Sequence, residues 1–197
     1  KSDILNAFIE AYSNVSDRCK SPIKIMKMLY DYDSEHDHLI DLIEPNKDNV
    51  YILENALQFY DSAAWLISLN IIDLNKLIQN RLGESKYTSY LHVAIYYNNY
   101  PIFEEIVTKN LCDVNIVNDF GETPLMEACR KKLLFFIKLL FKHPDLDFLH
   151  RNNKGEDALH ICRNLNDDNN GDDDDEITDK NEYLKKLLSI ICKNTKF

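Results

Sequence analysis

At 197 residues the chain is long enough to bury one compact core or one short repeat array, and its 45% hydrophobic and 28% charged residues are ordinary for a soluble folded protein. Only 4 glycines and 5 prolines argue against a long linker, a turn-rich all-β fold or a phosphate-cradling loop. A net charge of −10 weighs against direct binding of DNA or an anionic membrane, and the most apolar run, residues 133–141, is too short to span a bilayer and is interrupted by Lys138.

In chain order, residues 1–47 read as helical. Ser2 and Asp3 are placed to cap residues 4–9, Ser21-Pro22 opens a second helix over residues 23–29, and residues 39–43 form a third short apolar segment. This region is either an N-terminal cap or an eroded repeat.

A weak helix pair follows over residues 50–83. Leu53 and Ala56 lie on its first helix, Ala64 and Trp65 come 11 and 12 residues after Leu53, and Ile72-Asp73-Leu74-Asn75 closes the unit. A long loop over residues 81–87 separates it from the next pair.

Residues 84–117, 118–151 and 152–193 then repeat one plan. Leu91, Leu125 and Leu159 recur at intervals of 34, as do Gly121 and Gly155 in the preceding turns. Two residues before each leucine stands a helix-capping side chain, Ser89, Thr123 or Asp157, and Pro124 takes the first helical position. A second helix follows at matching offsets: Ile102, Phe103, Ile106 and Val107 after Leu91, and Phe136, Ile137, Leu140 and Phe141 after Leu125. In the last unit the matching residues, Tyr183, Leu184, Leu187 and Leu188, come 13 residues late. An Asp/Asn-rich insertion over residues 164–180 accounts for the delay, and a helix over 182–193 closes the array. No such pair can bury its own apolar face, so the units must stack.

The segment Gly121-Glu122-Thr123-Pro124-Leu125-Met126-Glu127-Ala128 resembles the ankyrin repeat motif, and Leu91-His92 with Ala94 and Leu159-His160 with Cys162 keep its core. Asp113-Val114-Asn115 resembles the family's closing Asp-Val-Asn, whereas Asp147-Phe148-Leu149 keeps only the aspartate. Met126 departs where the family has histidine, losing a hydrogen bond at the helix start, and Tyr87 departs where a turn glycine is expected. The resemblance covers residues 84–162 and implies an all-α solenoid, with residues 1–47 as extra helices and 48–197 as the array.

Sites for chemistry find little support. A calcium loop with Gly171 in sixth place would put Ile177 where a bidentate glutamate is needed, so the acidic run is a solvated segment or contacts a basic partner. His36 and His38 have no cysteine pair at zinc-ligand spacing. Cys129 and Cys162 sit in first helices as small core residues, without an activating base in view. Hydrolase, nucleotide and zinc-protease signatures are absent. No cofactor or metal is expected, and the chain is not expected to be an enzyme.

The resemblance instead implies a binding face made of turn tips and the outward side of the first helices. The residues placed there include Lys86 at one tip, Asp119, Phe120 and Glu122 at the next and Lys154 at a third, with Tyr96, Tyr97, Glu127, Arg130 and Lys131 on the helices. Tyrosine and arginine are common binding anchors, and Phe120 is a large apolar residue at a tip; Tyr96 and Tyr97 have packing between repeats as their alternative role. The expected function is recruitment of another protein or peptide by a monomeric module of a larger protein, since the sequence begins at Lys1. The alternative is a regulatory or structural domain packed against a catalytic domain of the same parent. Five widely spaced cysteines without a CxxC favour reduced thiols, hence the cytoplasm or nucleus.

Overall fold

The computed structural model describes residues 23–35, 45, 50–79, 85–167 and 189. Helix α1 (Ile23–Glu35) runs six residues beyond the segment expected to be helical. It buries Met26, and its Tyr30 ring meets Trp65 edge-on with centroids 5.5 Å apart. Three helix pairs follow: α2 (Ile52–Ala56) with α3 (Tyr60–Ser68), α4 (Tyr90–Tyr96) with α5 (Tyr100–Thr108), and α6 (Pro124–Arg130) with α7 (Leu134–Leu140). Helix α8 (Ala158–Asp167) begins a fourth unit and reaches four residues into the stretch expected to be loop. The expected helices at 4–9 and 39–43, that at 182–193 apart from the helical Ser189, the paired His36 and His38, and nearly all of the acidic run lie outside the described residues.

The helices stack in two layers. First helices α2, α4, α6 and α8 pack in sequence, as do second helices α3, α5 and α7. The repeating leucines form the seam, with Leu53 and Leu91 at 0% exposure, Leu125 at 1% and Leu159 half-buried at the last unit. Between the layers lie Ile102, Ile106, Ile137 and Leu140, and the Phe103 and Phe136 rings are 4.9 Å apart. Each fully buried side chain of this kind contributes on the order of 1.5–3 kcal/mol of transfer free energy.

The local plan follows from the capping residues. Ser89 Oγ accepts from His92 N–H at 3.4 Å, Thr123 Oγ1 from Met126 N–H at 3.4 Å, and Asp157 Oδ1 from His160 N–H at 2.9 Å. Asn99 caps α5 and also donates from Nδ2 to the Leu57 carbonyl of the preceding unit at 2.8 Å. Reversals between first and second helices pass through the left-handed region at Asn98 (φ 53) and Lys132 (φ 58), and the second helices α3 and α5 end on Asn70 and Asn110 in the same way. The long loop of the weak unit is bounded by a short antiparallel ribbon, β1 (Ile78–Gln79) against β2 (Tyr87–Thr88). Tyr87 therefore stands in a strand, where no left-handed conformation is required and no glycine is needed.

Side chains lace the units along two edges. At one edge Asn75 Oδ1 accepts from Asp113 N–H and Asn115 Oδ1 from Asp147 N–H, both at 2.8 Å, so each earlier unit holds the next. Leu149 ends this ladder, since its side chain offers no polar atom. At the hairpin edge the sense is reversed. Asp119 accepts from Lys86 N–H at 2.9 Å and Tyr87 N–H at 3.2 Å, and Asn153 donates from its backbone to Phe120 O at 3.0 Å and from Nδ2 to Asp119 O at 2.9 Å.

Candidate partner-binding groove

Two of the hairpins are built on one asparagine each. Asn118 Oδ1 accepts from Phe120 N–H and Glu122 N–H, both at 3.0 Å, and Asn152 Oδ1 accepts from Lys154 N–H and Glu156 N–H, both at 2.9 Å. Each turn closes on a glycine with positive φ, Gly121 at 71° and Gly155 at 79°. With the tips laced together, they form a fixed wall standing beside the row of first helices.

A cavity of about 570 Å³ lies between that wall and helices α4 and α6. Its wall is Ser85, Thr88, Asn118, Phe120, Glu122, Asn152, Asn153 and Lys154, and its floor is His92, Val93, Tyr96, Glu127 and Arg130. Phe120 and Tyr96 are 42% and 44% exposed, which makes them the large apolar surfaces a ligand would cover. Arg130 is ion-paired with the nearly buried Glu122, so guanidinium and carboxylate hold each other at the groove's centre. Burial raises the Glu127 carboxyl above its ordinary value, against the pull of Lys131, whose ammonium is 3.8 Å away.

Six of the ten residues placed on the binding face by the sequence line this cavity: Tyr96, Phe120, Glu122, Glu127, Arg130 and Lys154. The other four have different positions. Tyr97 is half-buried and meets Tyr96 edge-on at 5.3 Å; burial and the nearby Glu54 push its hydroxyl up to about 12, so it packs between units. Desolvation pushes the Asp119 carboxyl up, and the N–H groups of Lys86 and Tyr87 outweigh it, leaving a carboxylate held below its usual range and engaged with backbone. Lys131 places its ammonium 4.5 Å from the centre of the Tyr96 ring, and Lys86 lies 5.3 Å over Tyr87 at the edge of the wall.

Sequence reasoning missed His92, Asn118 and Asn152 as lining residues. Asn118 and Asn152 are 34 apart, so the period marked them, but a search weighted towards apolar positions passes over them. His92 has a structural role there: Nδ1 lies 2.7 Å from Ser89 Oγ and Nε2 3.0 Å from Glu122 O.

Nucleophilic chemistry finds no footing at the described cysteines. Burial pushes the Cys112 thiol up to about 12, and the contact with Cys162 together with burial pushes Cys129 well up, so neither is a thiolate near neutrality. Among the described residues no group of three or more His, Cys, Asp or Glu is placed to hold a metal ion, and no helix is long and apolar enough to cross a membrane.

Compared with models of known protein families, residues 91–170 match ankyrin repeats, in three copies. No curated protein matches the chain significantly.

Proposed function

We propose that this chain, which carries ankyrin repeats over residues 91–170, is a non-catalytic module that holds a segment of another protein in the groove between its hairpin wall and helices α4 and α6. Such repeats are in general protein-interaction modules. The observation that carries the reading is the coincidence of an open cavity, two exposed aromatic rings and a prearranged ion pair on that face. Interface energy concentrates in a few aromatic and arginine anchors surrounded by polar contacts, and a wall whose backbone is already hydrogen-bonded loses little freedom on binding. Recruitment of the partner would serve an activity elsewhere in a larger protein, in a reducing compartment such as the cytoplasm or nucleus, where the buried Cys112, Cys129 and Cys162 stay in the thiol form, without disulfides.

Affinity capture with the whole chain as bait tests this against a variant carrying Tyr96→Ala, Phe120→Ser and Lys154→Glu. All three side chains are exposed or half-exposed, so the helical circular-dichroism spectrum should be unchanged while specific capture is lost. A partner retained undiminished by the folded variant would place binding elsewhere.

A further inference from the structure

Lys86, Phe120 and Lys154 occupy one position of the 34-residue register in three successive hairpins. Phe120 and Lys154 line the groove, and Lys86 continues the row beyond it. The other cations of this face are engaged, Arg130 with Glu122 and Lys131 with Glu127. Lys86 and Lys154 make no ion pair with a carboxylate among the described residues, although the chain as a whole carries −10. Two ammonium groups without a contact ion pair, Lys86 over the Tyr87 ring and within the field of Asp119, and Lys154, therefore bracket the exposed ring.

Hydrogen-bonding capacity along the row leans the same way. Asn118 spends Oδ1 on two backbone N–H groups, while its Nδ2 and the Thr88 hydroxyl have no partner among the described residues, although both side chains line the groove. These groups can donate to ligand carbonyls. Packed helices lie about 8–10 Å apart and an extended chain rises about 3.3 Å per residue, so about three ligand residues pass each repeat.

We propose that the groove selects an extended peptide carrying an acidic residue, an apolar residue three positions on, and a second acidic residue three positions further. The apolar side chain packs on Phe120 and Tyr96, and the two carboxylates meet Lys86 and Lys154. This specificity rests on the groove being the protein-binding face, as proposed above.

Selection of a random nine-residue peptide library on the whole chain tests both statements separately. The expected winners carry the acid–apolar–acid spacing, bind more weakly as salt rises, and shift the backbone resonances of Phe120, Asn153 and Lys154. A Lys86→Glu/Lys154→Glu variant should bind them at least about tenfold more weakly and should select basic residues at the two outer positions instead. Winners that perturb the groove but show no acidic bias, or an unchanged preference with the double variant, would overturn the charge pattern and leave the groove standing. Winners that perturb only residues outside the groove, or no enrichment at all, would overturn the groove reading together with it.

Discussion

His92 Nε2 lies 3.0 Å from the backbone carbonyl of Glu122 in the following repeat, and its Nδ1 lies 2.7 Å from the Ser89 hydroxyl. A carbonyl can only accept, so Nε2 carries the proton and Nδ1 accepts from Ser89. One neutral imidazole thus ties a helix start to the next hairpin.

This bond has a pH dependence. Burial lowers the His92 pKa to about 4 from 6.5, against the opposing effect of the Glu122 carbonyl. The unfolded chain takes up its proton near pH 6.5 and the folded chain only near 4, so the contribution is full above the first value and is lost as pH falls towards the second. The loss amounts to roughly 3 kcal/mol. Urea midpoints between pH 7 and pH 4.5 should fall steeply, and His92→Gln should flatten that slope while lowering stability at pH 7.

At the equivalent position of the next unit, Met126 is buried and its side chain can make no such bond. The carbonyl of Glu156, one period after Glu122, accepts from Asn152 N–H but from no side chain among the described residues. Met126→His should therefore restore a link to the fourth unit and raise stability at pH 7.5 by about 1 kcal/mol. An unchanged urea midpoint would show that the imidazole does not reach Glu156.

The two turn glycines should respond unequally to alanine. A Cβ at Gly121 would stand 2.6 Å from Asn153 Oδ1 and 3.1 Å from Asn153 N, whereas one at Gly155 meets nothing within 4 Å among the described residues. Both carry left-handed strain, so Gly155→Ala should cost about 1 kcal/mol and Gly121→Ala about 2–3 kcal/mol. Thermal unfolding measured side by side checks the ordering, and equal costs would mean that the Asn153 side chain yields freely.

Lys132 adopts φ 58 where Asn98 does the same work one unit earlier with φ 53. Lysine pays for a left-handed backbone that glycine adopts freely. Lys132→Gly should raise stability by up to about 1 kcal/mol, read as a higher unfolding midpoint with an unchanged spectrum.

The stacking architecture was legible because apolar and capping residues must recur wherever helix pairs bury the same faces: Leu91, Leu125 and Leu159, and Ser89, Thr123 and Asp157. The groove was legible only in outline. Tyr96 and Tyr97 are neighbours in sequence, and a turn of about 100° per residue sends one into the groove and the other between units; which goes where depends on packing that no motif encodes. Asp119 looked like a ligand contact, but its carboxylate is committed to two backbone N–H groups of the preceding hairpin, a three-dimensional fact without a sequence signature. The end of α8 was misjudged because Asn164 to Asp167 have loop-like composition yet continue the helix begun at Ala158.

The opposite senses of the two laced edges have a mechanical consequence. Detaching the fourth unit would remove the two bonds from Asn153 to the Asp119 and Phe120 carbonyls, while the Phe120 hairpin stays tied to the preceding unit through Asp119 and His92 and the Asn75 and Asn115 rungs stay intact. Detaching the Asn75 unit would instead free the Asp113 N–H and spare that hairpin. Under tension the stack therefore has a weak side that depends on which end is pulled. Removing the C-terminal unit would thus strip the groove wall of one of its two lateral ties, and removing the Asn75 unit would strip it of neither.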